Sequence, residues 1–153
     1  MGLERSHRRI GERMRILLAG DGSLRTDTRR RIGMEDGSFV SPPAAEALDT
    51  AERHGAVPDA ALAAGTAVAL LDAFVRVRTG IEPGNETDAI NPGDLLLSLA
   101  LDEAWAAGPA VFERTLAACV EWIESGDPEA LKGTARATGE VAAASGADGR
   151  DSA

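Results

Sequence analysis

The strongest constraint on the fold is a pair of long apolar segments, each of which begins at a proline. Residues 58–79 carry apolar side chains at helical spacing and are followed by Gly80. Residues 92–107 follow Asn91, a residue type that favours helix caps, and are apolar on nearly every side for two turns. Because such a helix needs neighbours all round, we predict that it lies at the centre of the fold. The leucines expected to be among the most buried are Leu96, Leu99 and Leu101.

Proline and glycine also predict where the other helices begin and end. Residues 20–43 contain four glycines and two prolines and are expected to be irregular. The other predicted helices cover residues 3–19, Pro42 to about His54 with Ser41 as cap, Pro109 to Gly126, and Asp127 to about Ser145. No segment shows sustained alternation of apolar and polar residues. The sequence therefore predicts an all-α antiparallel bundle of about six helices.

The helix that starts at Pro109 has one predicted buried stripe. The residues assigned to this stripe are Phe112, Leu116, Cys119, Val120 and Ile123. Cys119 is the only cysteine of the chain, and its apolar neighbours indicate a packing role.

The length of 153 residues, 44% of them hydrophobic, is enough for one domain with a real core. Only 3% of the residues are aromatic, so Ala, Leu, Val and Ile must build that core from closely apposed helices. We predict a basic N-terminal helix and linker over 1–31, a helical domain over 32–146 and a disordered tail over 147–153. No apolar run approaches the ~18 residues of a membrane span. These features indicate a soluble, cytoplasmic protein without a membrane-spanning segment.

Charge is unevenly distributed along the chain, whose formal net charge is -9. Residues 1–31 hold nine arginines and four acidic residues, whereas the remainder holds seven basic and twenty-one acidic residues. The basic segment lacks interleaved aromatic residues and a helix-turn-helix pattern, so we expect it to dock on the protein's own acidic body and not on nucleic acid. The acidic, lysine-poor composition is similar to that of proteins from salt-loving archaea, although an acidic mesophilic protein fits as well.

Several short motifs occur in an order and spacing that resemble the trans-polyprenyl diphosphate synthases. The motifs are Gly37-Ser38-Phe39-Val40-Ser41-Pro42, Leu70-Leu71-Asp72 followed by Thr79-Gly80-Ile81-Glu82-Pro83, Gly93-Asp94-Leu95-Leu96, and Ala137-Thr138-Gly139-Glu140-Val141 through Gly146-Ala147. The resemblance covers roughly residues 37 to 147, about the first half of a synthase. It is closest to the short subunit of heterodimeric synthases, which lacks the aspartate cluster, and it implies a partial isoprenoid-synthase-like fold.

The charges on which that family's reaction depends are missing. Where the family has the lysine and arginine that bind a diphosphate, this chain has Ser38 and Ser41. Where the family has its first aspartate cluster, only Glu82 could supply a carboxylate. Prenyl transfer needs Mg²⁺ held by such carboxylates to neutralise the departing pyrophosphate. The resemblance therefore implies a protein with no catalytic residues, no cofactor and no metal.

A residual pocket is the first candidate site. Its predicted residues are Asp72, Arg76, Arg78 and Asp94. The two arginines could bind a diphosphate, but cations also favour the C-terminal end of a helix for electrostatic reasons alone. The two histidines, His7 and His54, have no carboxylate or cysteine at ligand spacing, so a zinc site is not expected.

An interface is the second candidate site. Full synthases dimerise through helices of this half, and the two long apolar helices carry more apolar surface than a six-helix body can cover. The predicted contact residues are Leu97, Leu101 and Trp105. The predicted partner is a second copy or a full-length prenyl diphosphate synthase, unless the basic N-terminal helix covers this face.

Three functions fit these observations. The first is a non-catalytic, polyprenyl-synthase-like protein that acts as a regulatory or structural partner in isoprenoid biosynthesis. The second is a helical protein-interaction module unrelated to isoprenoids. The third is a small enzyme, for which the sequence offers no nucleophile and base at meaningful spacing.

Overall fold

The computed structural model describes residues 2–36, 39–80 and 90–126, and they form helices joined by short connections. There are six α-helices and one 3-10 helix in this part of the chain, and no strand. The helices are α1 (Gly2–Leu17), α2 (Ser23–Arg31), the 3-10 helix (Met34–Asp36), α3 (Pro42–Arg53), α4 (Pro58–Thr79), α5 (Ile90–Ala107) and α6 (Pro109–Ser125). The all-α prediction is confirmed.

Three helices begin at the prolines that predicted them. Pro42, Pro58 and Pro109 each occupy the first turn of their helix, where the missing N–H has no helical partner to lose. At the other end of α6, Gly126 has a φ of 68° and closes the helix in the left-handed conformation, which glycine adopts without steric cost.

Other boundaries differ from the prediction. Asn91 lies inside α5, which begins at Ile90, so its predicted role as a cap is wrong. The segment 20–43 is not uniformly irregular, because it contains α2 and the 3-10 helix. The predicted helix from Asp127 to Ser145 and the predicted tail 147–153 lie outside the described residues, as do the motif residues in 81–89 and 137–147.

The helix α2 depends on contacts that a local pattern does not reveal. It buries Thr28 alone, but its arginines donate hydrogen bonds to carbonyls at the end of α1. Arg25 bonds the Leu17 carbonyl, and Arg29 bonds the carbonyls of Leu18 and Gly20. These bonds satisfy acceptors that the last turn of a helix leaves without partners.

Asp27 is the acidic partner within α2. Arg31 and Arg30 both pair with its carboxylate from the next turn. Their hydrogen bonds lower the pKa of Asp27 below its usual value. The pairs hold neighbouring turns of this short helix together.

The centre of the fold is α4 and not α5 as predicted. Thirteen residues of α4 are buried, compared with seven of α5. Leu96 is fully buried as expected, but Leu99 and Leu101 are only partly buried. The reason is side-chain size, because alanine is the commonest residue of α4 and lets α1, α3 and α5 approach from several sides.

By length and composition, α4 could also cross a membrane. It alone among the described helices passes that test, with a mean hydropathy of 1.7 over its most apolar window. In this structure 72% of that window is buried inside the protein, as in the core helix of a soluble protein. The absence of a membrane span stays a prediction.

Gly65 marks the point where three helices meet. A Cβ atom placed there would lie 2.9 Å from the Leu48 Cβ, 3.0 Å from the Ile10 Cδ1 and 3.2 Å from the Ala44 carbonyl oxygen. Leu48 and Ala44 belong to α3, and Ile10 belongs to α1. Both helices therefore pack against α4 at a distance that only glycine allows.

The basic N-terminal helix docks on acidic residues of the same chain. Ile10 and Met14 of α1 are fully buried in the core. Beside them, Arg9 Nη1 lies 2.6 Å from Glu52 Oε1 of α3, and Arg13 Nη2 lies 2.6 Å from Glu103 Oε1 of α5. The Glu103 side chain is only 6% exposed, so the second pair bridges α1 and α5 with one partner inside the protein.

We predict that Gly65→Ala destabilises the fold by about 1–2 kcal/mol, because overpacking outweighs the gain in helix propensity. Gly11→Ala in α1 is the matched control, since its added Cβ would meet the nearest atom at an ordinary 3.5 Å. That substitution should be neutral or stabilising by up to about 1 kcal/mol. Urea unfolding of both variants tests this, and equal effects would contradict the three-helix contact.

We predict that Arg13→Ala costs about 1–3 kcal/mol of unfolding free energy, because it leaves the buried Glu103 carboxylate without its cation. Arg9→Ala, one turn away on the same helix, should cost less than about 1 kcal/mol, since its partner Glu52 is 35% exposed. Thermal unfolding of the two variants in one buffer makes the comparison. A loss as small for Arg13 as for Arg9 would show that the α1–α5 bridge is dispensable.

Candidate interaction surface

Besides Ile90 at the start of α5, four large apolar side chains of α5 and α6 are open to solvent. Their exposed fractions lie between 42% and 65%. They are Trp105 on α5 and Leu116, Val120 and Ile123 on α6. No other helix in the described part of the chain buries these four side chains.

Helical spacing places these residues on one continuous surface. Leu97, Leu101 and Trp105 are four residues apart and share one side of α5. Phe112, Leu116 and Val120 are also four apart, with Ile123 beside them on α6. The Trp105 and Phe112 rings join the two rows, with centroids 5.5 Å apart in an edge-to-face contact. We call these seven residues the α5–α6 face.

A groove runs along the α5 side of this face. Its volume is about 540 Å³. Its walls are Ser98, Leu99, Leu101, Asp102, Trp105 and Phe112. The predicted interface residues Leu101 and Trp105 therefore line this shallow groove, and Leu97 lies one turn away, partly buried against the core.

The α6 part of the face is a correction to the predicted buried stripe. Leu116, Val120 and Ile123 are exposed, and Phe112 is partly buried. The residues of α6 that are buried are Val111, Thr115, Ala118 and Cys119. The side of α6 that carries these residues faces the core, and Trp122 on the same side packs edge to face against Phe74 of α4, with ring centroids 5.2 Å apart. Both stripes are visible in the sequence, but only the packing shows which is buried.

Both helices of the α5–α6 face carry exposed acidic residues. Asp94 and Asp102 are exposed on α5, and Glu113, Glu121 and Glu124 are exposed on α6. Glu113 and Glu124 each come directly after an apolar residue of the α6 row and lie beside that row on its solvent side. Asp102 comes directly after Leu101 of the α5 row. Arg114 is the only basic residue of the two helices. None of these five carboxylates has an ion-pair partner within the described residues.

The residual-pocket residues divide into two groups at the end of α4. Arg76 Nε lies 2.9 Å from Asp72 Oδ2, and Arg76 Nη2 donates a 3.0 Å hydrogen bond to the Phe39 carbonyl. The side chain of Arg78 packs against Gly93 of α5, where a Cβ would come within 3.0 Å of Arg78 Cδ. Asp94, the next residue, is exposed. Arg76 is thus neutralised by Asp72 and holds the chain before α3, which fits a structural role at the helix end.

Both histidines lie along one side of the molecule, between α1 and α3. His7 lines a groove of about 330 Å³, and His54 lines an adjoining groove of about 400 Å³. The two grooves share Leu3 and Glu46. The sequence did not indicate this proximity, because the histidines are far apart along the chain. Among the described residues, no three His, Cys, Asp or Glu side chains are close enough to hold a metal ion.

Cys119 is buried beside the α6 row. Burial raises the pKa of its thiol, because the thiolate loses hydration in an apolar setting. The thiol is therefore poorly suited to nucleophilic chemistry at neutral pH, and packing is the role that its surroundings favour.

Comparison with known proteins gives no match to any family model, any curated protein or any solved structure. The similarity to trans-polyprenyl synthases therefore rests on the motif residues quoted above. The α5–α6 face rests on separate observations, namely burial and helix position, and does not depend on that similarity.

Proposed function

We propose that this protein is a non-catalytic helical protein that acts by binding another protein through the α5–α6 face. The observation that carries this proposal is the exposure of Trp105, Leu116, Val120 and Ile123 in one continuous surface. Contiguous apolar surface of this kind on a soluble protein usually marks an interface. Exposed tryptophan adds to the argument, since it is enriched among the residues that contribute most to binding energy.

The motif resemblance supports a place for this interaction in isoprenoid biosynthesis. On that basis the partner is a full-length prenyl diphosphate synthase, which this protein would support structurally or regulate. The contacts at the end of α4 bring segments of these motifs close together. Phe39 of the first motif accepts the hydrogen bond from Arg76, and Gly93 of the third packs against Arg78.

A helical interaction module unrelated to isoprenoids is the second candidate function. The observation in its favour is that the exposed apolar row of α6 contains none of the motif residues. The two functions share the binding surface and differ in the partner. Capture of a purified prenyl diphosphate synthase by the immobilised protein separates them.

The isolated protein is expected not to condense isopentenyl diphosphate with an allylic diphosphate, even with excess Mg²⁺. The reason is the absence of aspartates at positions 79, 80 and 83 and of basic residues at 38 and 41. A radiolabelled prenyl-transfer assay against a blank without protein measures this. Product above the blank would refute the non-catalytic assignment.

We predict that the protein associates, with itself or with a synthase, and that Ile123→Asp weakens this association by about tenfold or more. The charge would replace an apolar side chain that is 65% exposed on the α5–α6 face. Ile16→Asp is the matched control, because Ile16 is 67% exposed but lies on α1.

Light scattering and co-purification at low and at molar salt make the measurement, since salt screens the repulsion among the surface carboxylates. A monomer that captures no synthase at either salt concentration would contradict the proposed function. Equal losses for Ile16→Asp and Ile123→Asp would place the interface elsewhere.

A further inference from the structure

We propose that the occupant of the α5–α6 face is a basic amphipathic helix of the partner protein. This inference rests on the proposed function and specifies the chemistry of the partner.

The shape of the face suits a helix. One row of apolar side chains lies on α5 and another on α6. Leu101 and Trp105 of the first row and Phe112 of the second line a groove of about 540 Å³. The rows repeat every three to four residues, which matches the spacing of apolar residues along one side of a partner helix. A helix laid against both rows would cover Trp105 at one end and Ile123 at the other.

The charges around the face indicate that the partner helix is basic. Asp94 and Asp102 on α5, and Glu113, Glu121 and Glu124 on α6, have no basic partner in the described part of the chain. Elsewhere arginines pair with carboxylates, as Arg9 does with Glu52 and Arg13 with Glu103. Lysine or arginine at the flanks of a partner helix would supply the missing counter-charge. Anionic lipid and nucleic acid phosphates would be repelled by the same carboxylates.

A second copy of this chain fits the face less well. Face-to-face pairing of two copies would bring two acidic borders together, and like charges across an interface disfavour association. The basic residues of a second copy are concentrated in its first 31 positions. There the apolar side of α1 is already used, since Ile10 and Met14 are fully buried in the core. The chain therefore offers no exposed basic amphipathic helix of its own within the described residues.

The test uses three synthetic peptides, each as long as α6 and blocked at both ends. The first has leucines every three to four residues and lysines at the flanking positions. The second replaces those lysines with glutamates, and the third keeps the composition of the first but scrambles the leucines. Trp105 reports binding, because covering an exposed indole shifts its emission to shorter wavelength. Trp105→Phe is the control that should abolish the signal, because Trp122 already packs against Phe74.

With full-length protein, we expect the basic amphipathic peptide to bind about tenfold or more tightly than the acidic one, because like charges disfavour association. The preference should shrink as salt screens the charges, over a range in which circular dichroism shows the protein folded. The scrambled peptide should not shift the emission of Trp105.

A charge-reversal variant sharpens the test. Glu113→Lys, Glu121→Lys and Glu124→Lys combined should shift the preference toward the acidic peptide. The matched control reverses three exposed carboxylates that lie elsewhere, at Glu4, Glu12 and Glu35. It should retain the preference for the basic peptide.

Three results would overturn the proposal. Equal binding of the acidic and basic peptides would reject charge selection but leave association through this face intact. Absence of peptide binding, together with a dimer that Ile123→Asp dissociates, would identify a second copy as the occupant. Absence of binding by a monomer whose Trp105 already emits at short wavelength would show that the chain covers the face itself, and the proposed function would then fail as well.

Discussion

The fold depends on the close approach of three helices to α4. With only 3% aromatic residues, the chain cannot fill wide gaps between helices, so helix axes must come close together to exclude water. The alanines of α4 allow this on most of its circumference, and Gly65 allows it where Leu48 and Ile10 meet the helix. Larger residues on α4 would separate α1 and α3 from the core that they complete.

Arginine is the second means by which the helices are held together. Arg9 and Arg13 connect α1 to α3 and α5, while Arg25 and Arg29 connect α2 to the end of α1. These guanidinium groups act over several helices because each can donate to more than one acceptor. One consequence is that many of the N-terminal arginines are engaged inside the molecule. The carboxylates of α5 and α6 are left to face solvent, apart from Glu103.

The α5–α6 face depends on which side of α6 packs against the core. Thr115, Ala118 and Cys119 are buried, and Trp122 on the same side packs against Phe74 of α4. The apolar row of α6 that ends at Ile123 then points to solvent together with Trp105 of α5. The motif resemblance concerns a different part of the molecule, the end of α4, where Arg76 and Arg78 make contacts within the protein. Binding through the α5–α6 face therefore does not depend on whether the motif resemblance reflects a relationship to the synthases.

The amino-acid sequence by itself determined the all-α class, the starts of α3, α4 and α6 at prolines, and the end of α6 at Gly126. These features are local, because proline geometry and glycine conformation act within one turn of chain. Only the tertiary structure decided that α4 is central, that α2 forms, and that Leu116, Val120 and Ile123 are exposed. Each of these depends on what lies across the helix, which is a carbonyl at the end of α1 for Arg29 and the Phe74 ring of α4 for Trp122 of α6. Periodicity shows that a helix has an apolar side, but where a helix has two such sides, the volume available beside its neighbours decides which one is buried.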